Sequence, residues 1–300
     1  MKFLIFGSTG FIGNELVSLI KKLGDEAFCV SKSGNKNAIA LDISEEKAFS
    51  KIDFMPDIIV NCASRIPGVG KTSKDPEFLK ELFLTNVVGA ANVSNWAVRK
   101  GVSKIINCST LVVVKKPWPT PLTEDYSDIP DGVHIGYCMS KLSQEQLMNE
   151  IVKGSKTKLL HVRLSSVYGT GMVKEGIIFN LLNNLSVNKE VKITNGENTF
   201  DFINVKDVCR SIIALAKTSY ESGIINLASG NPVSLLHLVE MLKEITDSTS
   251  AIINYNSNNY LSKADIGVGK LKTYIGEVYN EFIPFEKGLK SLLMKNLGKW

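Results

Sequence analysis

The feature that most narrows what this 300-residue chain can fold into lies in its first thirteen residues. An apolar run, Phe3-Leu-Ile-Phe6, ends at Gly7-Ser-Thr-Gly10-Phe-Ile-Gly13, and a helical pattern of apolar residues follows at once. Apolar run, spaced glycines and 3.6-residue periodicity read as a strand, a tight turn and a helix. One glycine permits the turn, one lets backbone approach a ligand closely, and one lets the helix pack hard against the strand. The helix then directs its free N-terminal amides and positive dipole end at the turn, which suits phosphate. Alone, the spacing fits a packing turn equally well. Set between strand and helix, it predicts a dinucleotide site.

Strand and helix patterns alternate through the first half. Phe3 to Phe6, Ala27 to Ser31, Ala38 to Leu41, Asp57 to Cys62, Lys104 to Cys108 and Lys158 to Leu164 read as strands. Phe11 to Leu23, Pro76 to Lys100 and the stretch around Tyr137 read as the helices between them. Such alternation predicts an α/β fold, a doubly wound parallel sheet with helices on both faces. The second half changes character, with helices expected over 176–188, from about Asp207, over 234–246 and over 284–297. Strands are expected there over 191–194, 202–205 and 223–227. We expect residues 1–165 to form the dinucleotide domain, joined by returning segments of about 201–228. Residues 166–200 and 229–300 would then form a smaller α/β substrate lobe. Ligands in open sheets of this kind sit beyond the carboxyl ends of the strands.

Composition excludes other classes. A net charge of +5 with scattered Lys and Arg does not make a nucleic-acid surface. No apolar run reaches the length of about 18 residues that a membrane span needs. Five cysteines without a CxxC pair read as reduced thiols in a cytoplasmic protein. The three histidines, at 134, 161 and 237, lack ligand spacing, so no catalytic metal is expected. His134 could contact a substrate or simply occupy an exposed loop.

Tyr137-Cys-Met-Ser-Lys141 places a Tyr and a Lys on one helix face, one turn apart. An ammonium so placed favours the phenolate of a Tyr whose ordinary pKa is about 10. Proton transfer beside a dinucleotide reads as nicotinamide redox chemistry; the alternative is a helix-surface pair. The cofactor's form is read at the end of the second strand, where an acid would bond an NAD ribose hydroxyl. Ser31-Lys32-Ser33 stands there instead. A cation between two hydroxyls suits a 2′-phosphate, so NADP is favoured, with NAD and a merely solvated turn as alternatives. Asp42 could accept from an adenine amino group or belong to the N-cap of a helix beginning near Ser44.

Taken together, these residues resemble the extended short-chain dehydrogenase/reductases, in particular the NAD-dependent epimerase/dehydratase group that acts on nucleotide sugars. The resemblance spans essentially all 300 residues and implies a Rossmann sheet. The matching turn implies cofactor contacts from Gly7, Thr9, Gly10, Phe11, Ile12 and Gly13, and Asp42-Ile43 matches at the adenine edge. Cys62-Ala63-Ser64 resembles the fourth-strand loop along the cofactor, and Asn86 matches the family's helix asparagine. Ser109-Thr110 resembles the fifth-strand end, with Ser109 on the cofactor and Thr110 as the catalytic hydroxyl. Tyr137 and Lys141 match the catalytic pair. Val162 to Gly169 resembles the segment that brackets nicotinamide and sugar, with Leu164 and Ser165 on the cofactor and Ser166 on substrate. Arg65 could reach a substrate phosphate or sit in a solvated loop. Asp201 to Asp207 and Asn226 to Gly230 resemble later landmarks.

The resemblance implies that Tyr137 donates a proton to the alkoxide left by hydride transfer, while Thr110 hydrogen-bonds the same oxygen. Lys141 would hold the nicotinamide ribose and lower the Tyr137 pKa. Departures from the pattern narrow the choice. Leu111-Val112 stand where 4,6-dehydratases carry an Asp-Glu pair, so elimination lacks its acid and base. Phe200 stands where many epimerases carry a diphosphate-binding Arg, and Ser166 replaces the usual Asn. The expectation is therefore a reductase of a nucleoside-diphosphate 4-keto or 4-keto-6-deoxy sugar. A sugar-nucleotide 4-epimerase with tightly held NAD is the alternative, and a non-catalytic dinucleotide sensor the alternative of another class. A homodimer packed through helices 76–100 and 137–154 is implied as well.

Overall fold

Phe3 to Phe6 of the first strand, β1 (Lys2–Phe6), are all buried, and their side chains alternate between the two faces of the sheet. Phe3 and Ile5 point to one hydrophobic layer, Leu4 and Phe6 to the other, as the two-residue period of a strand requires. The structure is a computed structural model; it describes residues 1–297 apart from 36, 69–70, 133, 221 and 258–260. After β1 the chain runs α1 (Phe11–Lys22), β2 (Glu26–Ser31), β3 (Ile39–Ala40), β4 (Ile58–Asn61), α2 (Pro76–Phe83), α3 (Ala90–Lys100) and β5 (Lys104–Thr110). It continues with α4 (Ile135–Val152), β6 (Lys158–Leu164), β7 (Ser166–Tyr168), α5 (Gly176–Leu185), β8 (Val191–Thr194) and β9 (Thr199–Asn204). The remainder is α6 (Val205–Lys217), β10 (Gly223–Leu227), β11 (Pro232–Ser234), α7 (Leu235–Ile245), β12 (Ile252–Tyr255), α8 (Gly269–Asn280) and α9 (Phe285–Leu297).

Seven strands form a parallel sheet in the order β10-β6-β5-β4-β1-β2-β3. The expected doubly wound α/β architecture is present. Leu16 and Ile20 of α1 and Val208, Ile212 and Leu215 of α6 cover one face. Val93, Trp96 and Ala97 of α3 and Met148 of α4 cover the other. Strand order reverses between β1 and β4, so the crevice beyond their carboxyl ends is the switch point where ligands bind.

The second half supplies a three-stranded sheet, β11-β9-β7, and the pair β12-β8. They close over an apolar cluster that includes Phe179, Leu182, Phe202, Leu238, Leu242 and Leu289. The elements β7, β11, β12 and α8 carry no clear period in the sequence. Three of them are only three or four residues long, and α8 is kinked at Ile275. The long helix expected over 76–100 is interrupted by one wide π turn, Leu84–Gly89, between α2 and α3. Such turns recur at functional sites, and this one carries Asn86. Exposed Phe83, Leu84 and Val88 lie along this helix, and exposed Leu147 lies on α4. Among the described residues no helix is long and apolar enough to cross a membrane.

Candidate active site

The glycine turn is tightly determined. Gly7 has φ +76, and a Cβ there would lie 2.7 Å from the Ala63 nitrogen. At Gly13 a Cβ would come within 2.2 Å of the Gly7 carbonyl oxygen, so α1 can approach β1 this closely only without one. Gly10 is exposed, and no side chain caps α1. The helix's first amides are thus free to meet an anion. Beside the turn lies a cavity of about 510 Å³, within the range of cofactor sites. Gly7, Thr9, Gly10, Ser31, Lys32, Asp42, Ile43, Cys62, Ala63 and Ser64 line it, as does Arg65. The residues present therefore fit a dinucleotide. Phe11, Ile12 and Gly13 lie just behind, at the helix start, and Ser33 stays exposed outside the cavity wall.

Two expectations about this end need correction. Lys32 is not a free cation: its ammonium lies 2.7 Å from the Asp42 carboxylate. Asp42 also accepts from the Ser44 amide and hydroxyl, 3.0 and 2.8 Å away. Burial alone would raise its carboxyl, but the Lys32 and Ser44 contacts outweigh burial and hold it below the usual range. Arg65, expected on substrate, lines the dinucleotide cavity instead and pairs with Glu81 at 2.7 Å. Among the described residues, the cations of this end thus stand beside carboxylates, leaving no excess of positive charge.

Asn86 does not line the cavity; it straps the cavity's wall in place. Its side-chain oxygen accepts from the Arg65 amide and the Ser64 hydroxyl, at 2.7 and 3.1 Å. Its amide donates to the Arg65 carbonyl and the Ser140 hydroxyl, both at 2.9 Å. One fully buried side chain thereby ties the loop after β4 to α4. Cys62 and Cys108, on adjacent strand ends, stand with sulfurs 3.6 Å apart as free thiols.

Thr110, at the end of β5, and Tyr137, in the first turn of α4, bring their hydroxyls near enough for Thr110 to act on the phenol. Removal from water dominates the Tyr137 hydroxyl, although the residue as a whole is only partly buried, and nearby Cys138 acts in the same sense. Both push its pKa up, against the Thr110 hydroxyl, which lowers it. Lys141 does not counter this shift, contrary to expectation. Its ammonium donates to the Cys108 carbonyl at 2.8 Å and to the Gln144 side-chain oxygen, and no hydrogen bond joins it to Tyr137. Burial lowers the Lys141 pKa to about 8. Leu164, Ser165 and Ser166 line a second, 120 Å³ cavity together with Thr110.

Ser109 was expected on the cofactor, but its hydroxyl turns into the protein and donates to the Glu145 carboxylate. Arg163 holds the same carboxylate through two hydrogen bonds of 3.1 and 2.8 Å. Behind them, Asn61 donates to Asn107, which in turn reaches Gln144 and His161, each at about 3 Å. This polar layer is assembled from four separate segments and has little signature in the sequence. Its one signal is that Ser140, Lys141, Gln144 and Glu145 fall at i, i+1, i+4 and i+5, a core-facing stripe written in polar residues.

His161 makes the layer pH-sensitive. Burial, more than any charge, depresses its pKa to about 4, so the folded protein holds the ring neutral. An unfolded His takes up its proton near pH 6.5. Between pH 6.5 and 4 the unfolded chain therefore binds more protons, and stability rises with pH through that window. The contribution is complete above pH 6.5, is lost toward pH 4, and is on the order of 3 kcal/mol. Urea midpoints at pH 7 and pH 4.5 should differ accordingly. His161→Gln, which hydrogen-bonds but does not titrate, should flatten that limb; an unchanged limb would refute the assignment.

The model of the NAD dependent epimerase/dehydratase family matches residues 3–228, and the chain belongs to that family of nicotinamide-dependent enzymes. It is 23% identical over 290 residues to the ADP-L-glycero-D-manno-heptose-6-epimerase of Brachyspira hyodysenteriae, covering 90% of this chain and 87% of that one. It is 25% identical over 253 residues to the GDP-6-deoxy-D-talose 4-dehydrogenase of Aggregatibacter actinomycetemcomitans, covering 82% and 80%. The fold is shared with MoeE5 in complex with UDP-glucuronic acid and NAD, at a TM-score of 0.81, 21% identity and full coverage of both chains.

Proposed function

We propose that the protein is a reductase of a nucleoside-diphosphate 4-keto sugar. The cofactor would occupy the cavity at the glycine turn, and the sugar would reach Thr110 from the lobe formed by residues 166–200 and 229–300. The observation that carries the reading is Tyr137: an acid kept protonated by burial, close to Thr110, with only Leu111 and Val112 after that threonine. A protonated phenol suits donation to an oxygen that gains negative charge, and Thr110 can steady that oxygen as it forms. A nicotinamide bound beside them supplies the hydride. The Lys141 ammonium, resting on Cys108 and Gln144, is within the protein's means to hold a ribose hydroxyl and orient the ring. With Leu111 and Val112 in place of carboxylates, elimination lacks its acid and base at those two positions, which argues against dehydration.

For the cofactor we favour NAD(H) over NADP(H). Lys32 already serves Asp42, and Glu81 also lines the adenosine end, so a 2′-phosphate would meet two carboxylates. NAD bound to the structural relative MoeE5 supports the same choice. This neutrality is also what favours the second reading, a 4-epimerase that keeps its NAD through each cycle. Denaturing freshly purified protein and quantifying released nicotinamide separates the two. We expect little retained cofactor, and NADH consumption with 4-keto sugar nucleotides. NAD(H) near one per chain would overturn the reductase and favour the epimerase.

A further inference from the structure

Beyond the catalytic hydroxyl, the 120 Å³ cavity is bounded by Thr110, Lys116, Trp118, Ser166, Phe200 and Asp201 among others. Its charged residues are unequal. Asp201 is saturated: it accepts from the Ser229 amide and hydroxyl and from the Gly230 amide, each at 2.8 Å. Among the described residues, Lys116 is the one cation in the lining, and no ion pair joins it. Its ammonium stands 4.4 Å from the centre of the Trp118 ring. That ring is pinned by its own hydrogen bond, Nε1 to the Val114 carbonyl at 3.1 Å. A cation over an indole face keeps its charge while giving up part of its water. The residue as a whole is exposed, but the surroundings of its ammonium remove enough water to hold it below its ordinary value, and among the described residues no carboxylate acts on it there. An ammonium held without a carboxylate, in a cleft of about sugar-fragment size, has its strongest available partner in an incoming anion.

We propose that Lys116 is the cation that receives the anionic oxygens of the substrate in this cleft. On the reading of a sugar-nucleotide enzyme, on which this assignment rests, those oxygens belong to the diphosphate or to a carboxylate on the sugar itself. Phe200 on the cavity wall cannot bind either. Lys116 thus supplies electrostatic recognition, and Trp118 sets where the charge stands.

The test is calorimetric titration of NAD-loaded wild-type, Lys116→Met and Lys116→Arg protein with UDP-glucose, GDP-mannose, dTDP-glucose, ADP-glucose and UDP-glucuronate. Removal of a charge-assisted hydrogen bond should weaken affinity about ten- to hundredfold in Lys116→Met. Lys116→Arg should retain most of it, and NAD affinity should stay unchanged in both, which excludes misfolding. An equal loss for every sugar nucleotide bound assigns Lys116 to the diphosphate. A loss confined to UDP-glucuronate assigns it to the sugar carboxylate. Equal affinities in wild type and Lys116→Met overturn the proposal while leaving the sugar-nucleotide reading intact. If wild type binds none of the five, that reading falls, and the assignment falls with it.

Discussion

Tyr137→Phe is expected to lower turnover by about a hundred- to ten-thousandfold, the usual worth of a positioned proton donor, while cofactor affinity stays within error. The substitution removes one oxygen and leaves the ring. Tyr137 does not line the dinucleotide cavity, so the glycine turn and the Asn86-held loop should be untouched. Thr110 loses a neighbouring hydroxyl but keeps its place at the end of β5. Lys141 rests on Cys108 and Gln144, so its position does not depend on the phenol. Steady-state kinetics and cofactor titration on the same preparation check the expectation. The loss should fall on kcat, since the proton is transferred only as the new oxygen charge develops. Turnover within a few-fold of wild type would remove Tyr137 from the chemistry. Wild-type protein that binds the cofactor but turns over no 4-keto sugar nucleotide would instead revive a non-catalytic sensor.

How much of this site can be read from the chain depends on whether the relevant contact is local. The glycine turn is legible because strand, turn and helix are contiguous, and sterics at Gly7 and Gly13 leave no other residue room. The Tyr137/Lys141 spacing is legible for the same reason, one helical turn being a local rule. What the spacing does not convey is where the Lys141 ammonium goes. That depends on Gln144 and on a carbonyl of a strand thirty-three residues away. Lys32 and Asp42 illustrate the same limit at the cofactor's far end. Read singly, Lys32 looks like a phosphate ligand and Asp42 like an adenine ligand; their 2.7 Å contact forms only once β2 and β3 pair. Asn86 resembles a ligand in sequence, yet the π turn delivers it to the backbone of the neighbouring loop.

The buried Glu145–Arg163 pair should be the most sensitive structural point behind the site. The two side chains are 1% and 5% exposed, between α4 and β6. Burial by itself would raise the Glu145 carboxyl, but Arg163, then His161 and the Ser109 hydroxyl, hold it below its usual value. Glu145→Leu would leave the Arg163 guanidinium buried without a counter-charge and the Ser109 hydroxyl without its acceptor. Breaking a buried pair from one side costs about 3–5 kcal/mol. Replacing both partners by apolar residues of similar volume is often neutral. Glu145→Leu/Arg163→Met should therefore recover most of what Glu145→Leu loses, and a double-mutant cycle in urea would measure the coupling. The depressed carboxyl adds an acid dependence of defined sign. Its contribution is present above an unfolded pKa of about 4.3 and is lost as pH falls through the lower folded value. His161 has already lost its share in the window above that. Wild type should thus lose stability in two successive acid steps, and Glu145→Leu should keep only the step nearer neutrality. A single variant as stable as wild type, or a double variant no better than the single, would show that the pair does not hold α4 to the sheet.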